Sequence, residues 1–148
     1  NVKLGTGGIR EIEFFVQTIQ VLAGRKVPVL LDRSTLGSLD RLARKKLLST
    51  KERDALTAAY LFLRDVEHKL QMVHDLQTHS LPAEADELER CAIRMGYGIE
   101  DRKKAVASFQ ADHQRHTEMV HRTFQSFFVE PKTSSILKST LRLIGASK

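Results

Sequence analysis

Lys3-Leu4-Gly5-Thr6-Gly7-Gly8-Ile9-Arg10-Glu11-Ile12-Glu13-Phe14-Phe15-Val16-Gln17-Thr18-Ile19-Gln20-Val21-Leu22-Ala23 passes from a glycine loop into a helical pattern. Ile12, Phe15, Val16, Ile19, Leu22 and Ala23 recur at spacings of three and four and make one apolar face. At about 100° per residue, Arg10, Glu13, Gln17 and Gln20 fall in one polar row, with Phe14 and Val21 on the same side. A solvated helix face rarely carries a Phe and a Val among its polar groups. The helix is therefore expected to be covered on both sides, with its polar row turned to a partner or a site. A glycine loop at a helix N-terminus leaves N–H groups unpaired, and the dipole there favours an anion. Gly5, Gly7 and Gly8 with Lys3 and Arg10 thus read as a phosphate- or nucleotide-facing site, supported by Glu13 and Gln17. The plainer alternative is a flexible entry loop with a surface arginine, because G-x-G-G is neither a P-loop nor a dinucleotide fingerprint.

Outward from this stretch the chain reads as further helices. Gly24 and Pro28 end the first one, and Val29-Leu30-Leu31 is too short to read as a strand. Ser34 caps a second helix with Leu36, Leu39, Leu42, Ala43 and Leu47 on one face. Ser49 and Glu52 form a capping box that opens a third helix running to about Gln77. Leu56, Ala59, Leu63, Val66, Leu70 and Val73 make a bundle seam along it. Beside the seam lies a second polar row of Arg64, Glu67, His68, Gln71, Asp75 and Thr78. It reads either as a salt-bridge ladder or, taken with Gln77, as a domain-interface or docking surface. A fourth helix follows Pro82, from Glu84 to about Met95. A fifth, from near Glu100 to about Phe128, carries Val106, Phe109, His116, Val120, Thr123 and Phe127 near one stripe and pairs antiparallel with the third. Thr133 or Ser134 caps a short last helix. The expected fold is all-α, a bundle of five or six helices with a long antiparallel hairpin. Residues 1–130 form the bundle domain, and 131–148 are a short C-terminal helix or linker.

Composition narrows the function classes. A chain of 148 residues fits one domain. Its longest apolar runs fall far short of the roughly 20 residues a membrane span needs, and no signal peptide is expected before the first helix. A single cysteine, Cys91, excludes an internal disulfide framework and reads as a buried apolar residue of a cytoplasmic protein. The net charge of +6 invites a nucleic-acid reading. However, the basic clusters Arg41, Arg44, Lys45, Lys46 and Arg102, Lys103, Lys104 are short and lack interleaved aromatics. A solvated face or an acidic protein partner fits them better. His113 and His116 are three apart and lack a recognisable third ligand, so they read as seam histidines bonded across the bundle, with no metal site. Glu11 and Glu13 sit on different helix faces and make no acid/base dyad.

Three blocks carry a family resemblance. Lys3-x-Gly5-x-Gly7-Gly8-Ile9-Arg10-Glu11-Ile12-Glu13-Phe14, Ala59-Tyr60-x-Phe62-Leu63-Arg64-x-x-Glu67-x-x-Leu70-Gln71 and Asp75-x-Gln77-Thr78-x-x-Leu81-Pro82 stand in order over the first 82 residues. The first resembles the signature that follows the catalytic domain in the bifunctional glutamine synthetase adenylyltransferase/deadenylylase family. The form with Glu11 is similar to the amino-terminal, deadenylylating half, since the carboxy-terminal half usually has Asp there. The family's metal-binding carboxylates lie in a Gly-Ser…Asp-x-Asp pattern on a sheet, and neither that Asp-x-Asp nor its strand occurs here.

The resemblance implies a helical domain of a larger enzyme, without its catalytic carboxylates and inactive alone. Its role would be to close a nucleotidyltransferase site and position nucleotide, phosphate or protein substrate in the control of nitrogen assimilation. No catalytic residue and no cofactor are expected within the chain itself. Magnesium and ATP or ADP are implied for the whole enzyme. Glutamine synthetase, the PII signal protein and the adjacent nucleotidyltransferase domain are the implied partners. The alternative is a pure docking module for PII or glutamine synthetase.

Overall fold

The computed structural model describes residues 1–23, 34–73 and 79–128, together with Arg142 and Gly145. The expected segment at Val29–Leu31, the end of the third helix beyond Val73 and the short helix after Pro131 therefore lie outside the described residues. Within them the order is α1 (Ile9–Ala23), α2 (Thr35–Arg44), α3 (Thr50–Val73), α4 (Ala85–Arg94), a 3₁₀ turn (Arg102–Lys104) and α5 (Ala105–Phe128), with no strand. The fold is an all-α bundle.

α3 is its spine and packs against all four other helices. Leu56, Ala59, Leu63, Val66 and Leu70 of the seam are all buried. α1 contributes Ile9, Ile12, Phe15, Val16, Ile19 and Ala23, while Leu22, expected on that face, is exposed. α5 contributes Ala105, Phe109, Val120 and Phe127. α1 runs alongside α5 in the same direction: Glu11 meets His121, Phe14 meets Phe124, and Phe15 meets Phe127 edge-on at 5.3 Å. The end of α1 touches α2 through Gln20 and Ser38. α2 in turn holds the start of α3 through Asp40 and Arg53. Because α3 thus begins where α1 ends, α5 lies antiparallel to α3, as the expected long hairpin requires.

Local chemistry sets the ends. Ser34 Oγ accepts the Gly37 N–H. Ser49 and Glu52 exchange both capping-box bonds, at 3.1 and 2.9 Å. α4 closes with Gly96 at φ 92, where the Gly96 and Tyr97 N–H groups return to Ile93 and Ala92. α2 closes the same way, but with Lys46 at φ 59 in the position that favours glycine. This turn carries Leu47 past the helix end and back onto the core. The fifth helix starts later than expected because Asp101 caps a 3₁₀ turn first, its side chain accepting the Lys103 N–H.

Candidate functional site

The glycine loop is the first element of the site, and the N–H groups of its three glycines and of the first residues of α1 are all engaged. Gly5 N–H donates to Asn1 O, Gly8 N–H to Gly5 O, Ile9 N–H to Val2 O, Arg10 N–H to Lys3 O and Glu11 N–H to Gly8 O. Gly7 N–H donates to Glu11 Oε2 at 3.0 Å. The unpaired N–H groups expected at this helix N-terminus are therefore absent, because the loop folds back and supplies its own acceptors. The glycines serve close packing instead. Gly7 has φ 70 and lies against the α5 backbone, where a Cβ would collide with the Thr117 carbonyl. A Cβ on Gly5 would meet Asn1 O, and one on Gly8 the carbonyls of Val2 and Lys3. The amides of these glycines are thus engaged within the chain and are not offered to an anion as the sequence suggested.

Two carboxylates tie the loop down. Glu67 is 4% exposed. It pairs with Arg64 at 2.6 Å and lies 3.9 Å from Lys3 Nζ. His79 Nδ1 is 3.2 Å away, off hydrogen-bond geometry, and the Val2 N–H donates to the His79 carbonyl. The glycine loop and the α3 polar row meet here, through Lys3 and Glu67. Glu11 is the second tie. His121 Nδ1 stands 3.2 and 3.3 Å from its two oxygens, and since a carboxylate only accepts, that nitrogen carries the proton. The His121 and His79 partners were missed from sequence. These contacts link positions 110 and 12 apart, and neither carries a spacing signal.

The α1 polar row lines an open groove of about 390 Å³, formed by Arg10, Glu11, Glu13, Phe14, Gln17 and Phe124. Arg10 Nη1 donates to Glu13 Oε2 at 3.2 Å. Phe14 is 53% exposed and leans on Phe124 and Phe128, with centroids 6.2 and 5.3 Å away. Gln17 is exposed and makes no hydrogen bond among the described residues. Gln20, further along, is instead bonded to Ser38. The apolar members of this side, Phe14 and Val21, are not covered by the described residues; Val21 is 81% exposed.

The α3 row divides. Arg64, His68 and Gln71 are exposed, and Glu67 between them is buried. Asp75, Gln77 and Thr78 lie outside the described residues. Among the described residues no three His, Cys, Asp or Glu side chains come close enough to hold a metal ion. His113 and His116 pack as rings on Phe62 and Phe109, and His113 Nε2 is buried without a hydrogen bond, so the expected bond across the bundle is not made. Burial holds both imidazoles below the ordinary histidine value, helped at His116 by the nearby positive charge of Arg115. Tyr97 Oη donates to Asp112 at 2.6 Å, which lowers the Asp112 pKa; burial, then that bond, raises the Tyr97 pKa. Cys91 is buried, with its thiol pushed up by burial. No described helix is long and apolar enough to cross a membrane.

A family model described as GlnD PII-uridylyltransferase matches residues 1–128, which hold the loop, both ties and the groove. The chain belongs to this family. Relatives named bifunctional glutamine synthetase adenylyltransferase/adenylyl-removing enzyme share 43% identity or more with it. That of Agrobacterium fabrum is 46% identical over 128 residues, which is 86% of this chain and 12% of the relative. That of Bradyrhizobium diazoefficiens is 48% identical over the same length, and that of Xanthobacter autotrophicus 54% identical over 101 residues, 68% of this chain and 10% of the relative. This member of the GlnD PII-uridylyltransferase family therefore spans about an eighth of the length of such relatives.

Proposed function

We propose that this chain is the helical domain set against the deadenylylating active site of a glutamine synthetase adenylyltransferase/adenylyl-removing enzyme. On this reading the enzyme removes AMP from a tyrosine of glutamine synthetase by phosphorolysis and releases ADP, in the cytoplasm. The domain closes the cleft and positions nucleotide and phosphate. The observation that carries the reading is the α1 groove, where an exposed arginine, its carboxylate partner, a free amide and a half-exposed aromatic ring share one side of a helix. Arg10 supplies the charge for phosphate, oriented by Glu13, and Gln17 extends the row. Gly5, Gly7, Gly8 and Lys3 hold the start of α1 in place through the ties described above. On this reading magnesium and the carboxylates that hold it belong to the adjoining nucleotidyltransferase domain. In the intact enzyme, Arg10→Ala lowers deadenylylation tenfold or more with unchanged thermal stability. This follows because the side chain is exposed and its loss removes a charge-assisted contact of about 1.5–3 kcal/mol. Unchanged activity contradicts the assignment.

A second reading has its own observation. Leu61, Arg64, His68, Gln71 and Met72 form one exposed face of α3 with two large apolar side chains. This face suits docking of glutamine synthetase or PII, and binding of either protein to this chain, lost on Met72→Glu, would favour it.

A further inference from the structure

We infer that the α1–α5 groove is a nucleoside monophosphate subsite, with Arg10 at the phosphate, Glu13 at the ribose hydroxyls and Gln17 with Phe14 at the base. This rests on the reading above and adds which residue takes which part of the ligand. Arg10, Glu13 and Gln17 stand in line, and at 1.5 Å per residue the row spans about 10 Å, the length of a nucleoside monophosphate laid along the helix. The groove of about 390 Å³ lies in the size range of small-molecule pockets.

The free valences match in the same order. One Arg10 nitrogen is taken by Glu13 Oε2, and the rest of its exposed guanidinium fork remains for phosphate oxygens. Glu13 Oε1 has no partner among the described residues, and a carboxylate oxygen only accepts, which suits a hydroxyl donor. The Gln17 amide, also unpartnered there, offers a donor beside an acceptor, the pattern that reads a base edge. Phe14 and Phe124 give the base an aromatic wall. Glu11, the other carboxylate of the lining, is already engaged by Gly7 and His121 and fixes the floor.

The test is inhibition of deadenylylation in the intact enzyme by AMP and by ribose 5-phosphate, which lacks the base. The expected result is tighter inhibition by AMP. Gln17→Leu should weaken AMP about tenfold, the size of a lost hydrogen bond, while leaving ribose 5-phosphate unchanged; Arg10→Ala should weaken both. Gln17 is exposed, so an unaltered thermal transition checks that the variant folds. Equal inhibition by the two probes in the wild type, or an AMP preference that survives Gln17→Leu, overturns the subsite. If Arg10→Ala still lowers deadenylylation in that case, the cleft-closing role stands and only the subsite falls. If it does not, both fall.

Discussion

Gly7 shows at the scale of one residue how this site is built. Its φ of 70 and the Thr117 carbonyl beside it leave no room for a Cβ. Gly7→Ala is expected to destabilise the domain by at least about 2 kcal/mol, because it adds left-handed strain to a backbone collision. Chemical denaturation measures this, and a loss under about 0.5 kcal/mol would show that α5 can move aside. The glycine pattern was legible in the sequence, but its purpose was not. A loop rich in glycine looks the same whether it cradles an anion or packs on a neighbour, and only the position of α5 separates the two. Glu67 was hidden for a related reason. Arg64, Glu67, His68 and Gln71 share one arc of α3, yet burial comes to Glu67 alone because Lys3 and His79 close over it.

At the scale of elements, periodicity served well wherever one helix met the core along its whole length. The α3 seam alternates by three and four, and every described side chain of it is buried. Helix ends were less legible where an uncommon residue took a cap. Lys46 occupies the left-handed position that closes α2, a place where Gly96 closes α4. Lys46→Gly is expected to raise stability by about 1 kcal/mol, since the same closing bonds form without the Cβ penalty. A neutral or negative change in thermal unfolding would mean that the extra freedom of the unfolded chain cancels the relief.

The α3–α5 contact makes a pH prediction at the same scale. Burial lowers the pKa of His113 and His116 from 6.5, so the unfolded chain takes up protons before the folded one does. Stability is full above about pH 6.5 and falls as the pH drops through that value, levelling off below the folded pKa. Asp112, also lowered, adds its loss only below the ordinary carboxylate value of 3.8. Unfolding between pH 7.5 and 5 should therefore show a decline that His113→Leu reduces, and a flat profile in the wild type contradicts it.

Across the whole molecule, the pieces of the site come from distant parts of the chain. The loop at 1–8 is tied to α3 by Glu67 and to α5 by Glu11, which brings residues 110 apart in sequence within 3.2 Å. No pattern in a single sequence carries such a pairing, whereas the fold class and the polar row of α1 follow from spacing alone. On the proposed reading, the row faces the rest of a larger enzyme. Phe14 and Val21 were expected to be covered, and this domain leaves both open. The central claim is that the α1 side lies against the catalytic neighbour, and hydroxyl-radical footprinting of the intact enzyme tests it most directly. Phe14 should be labelled far less there than in the isolated chain, while Ile99, 90% exposed on the turn after α4, serves as the reference for an unshielded surface. Labelling of Phe14 as strong in the intact enzyme as in the isolated chain would contradict the account.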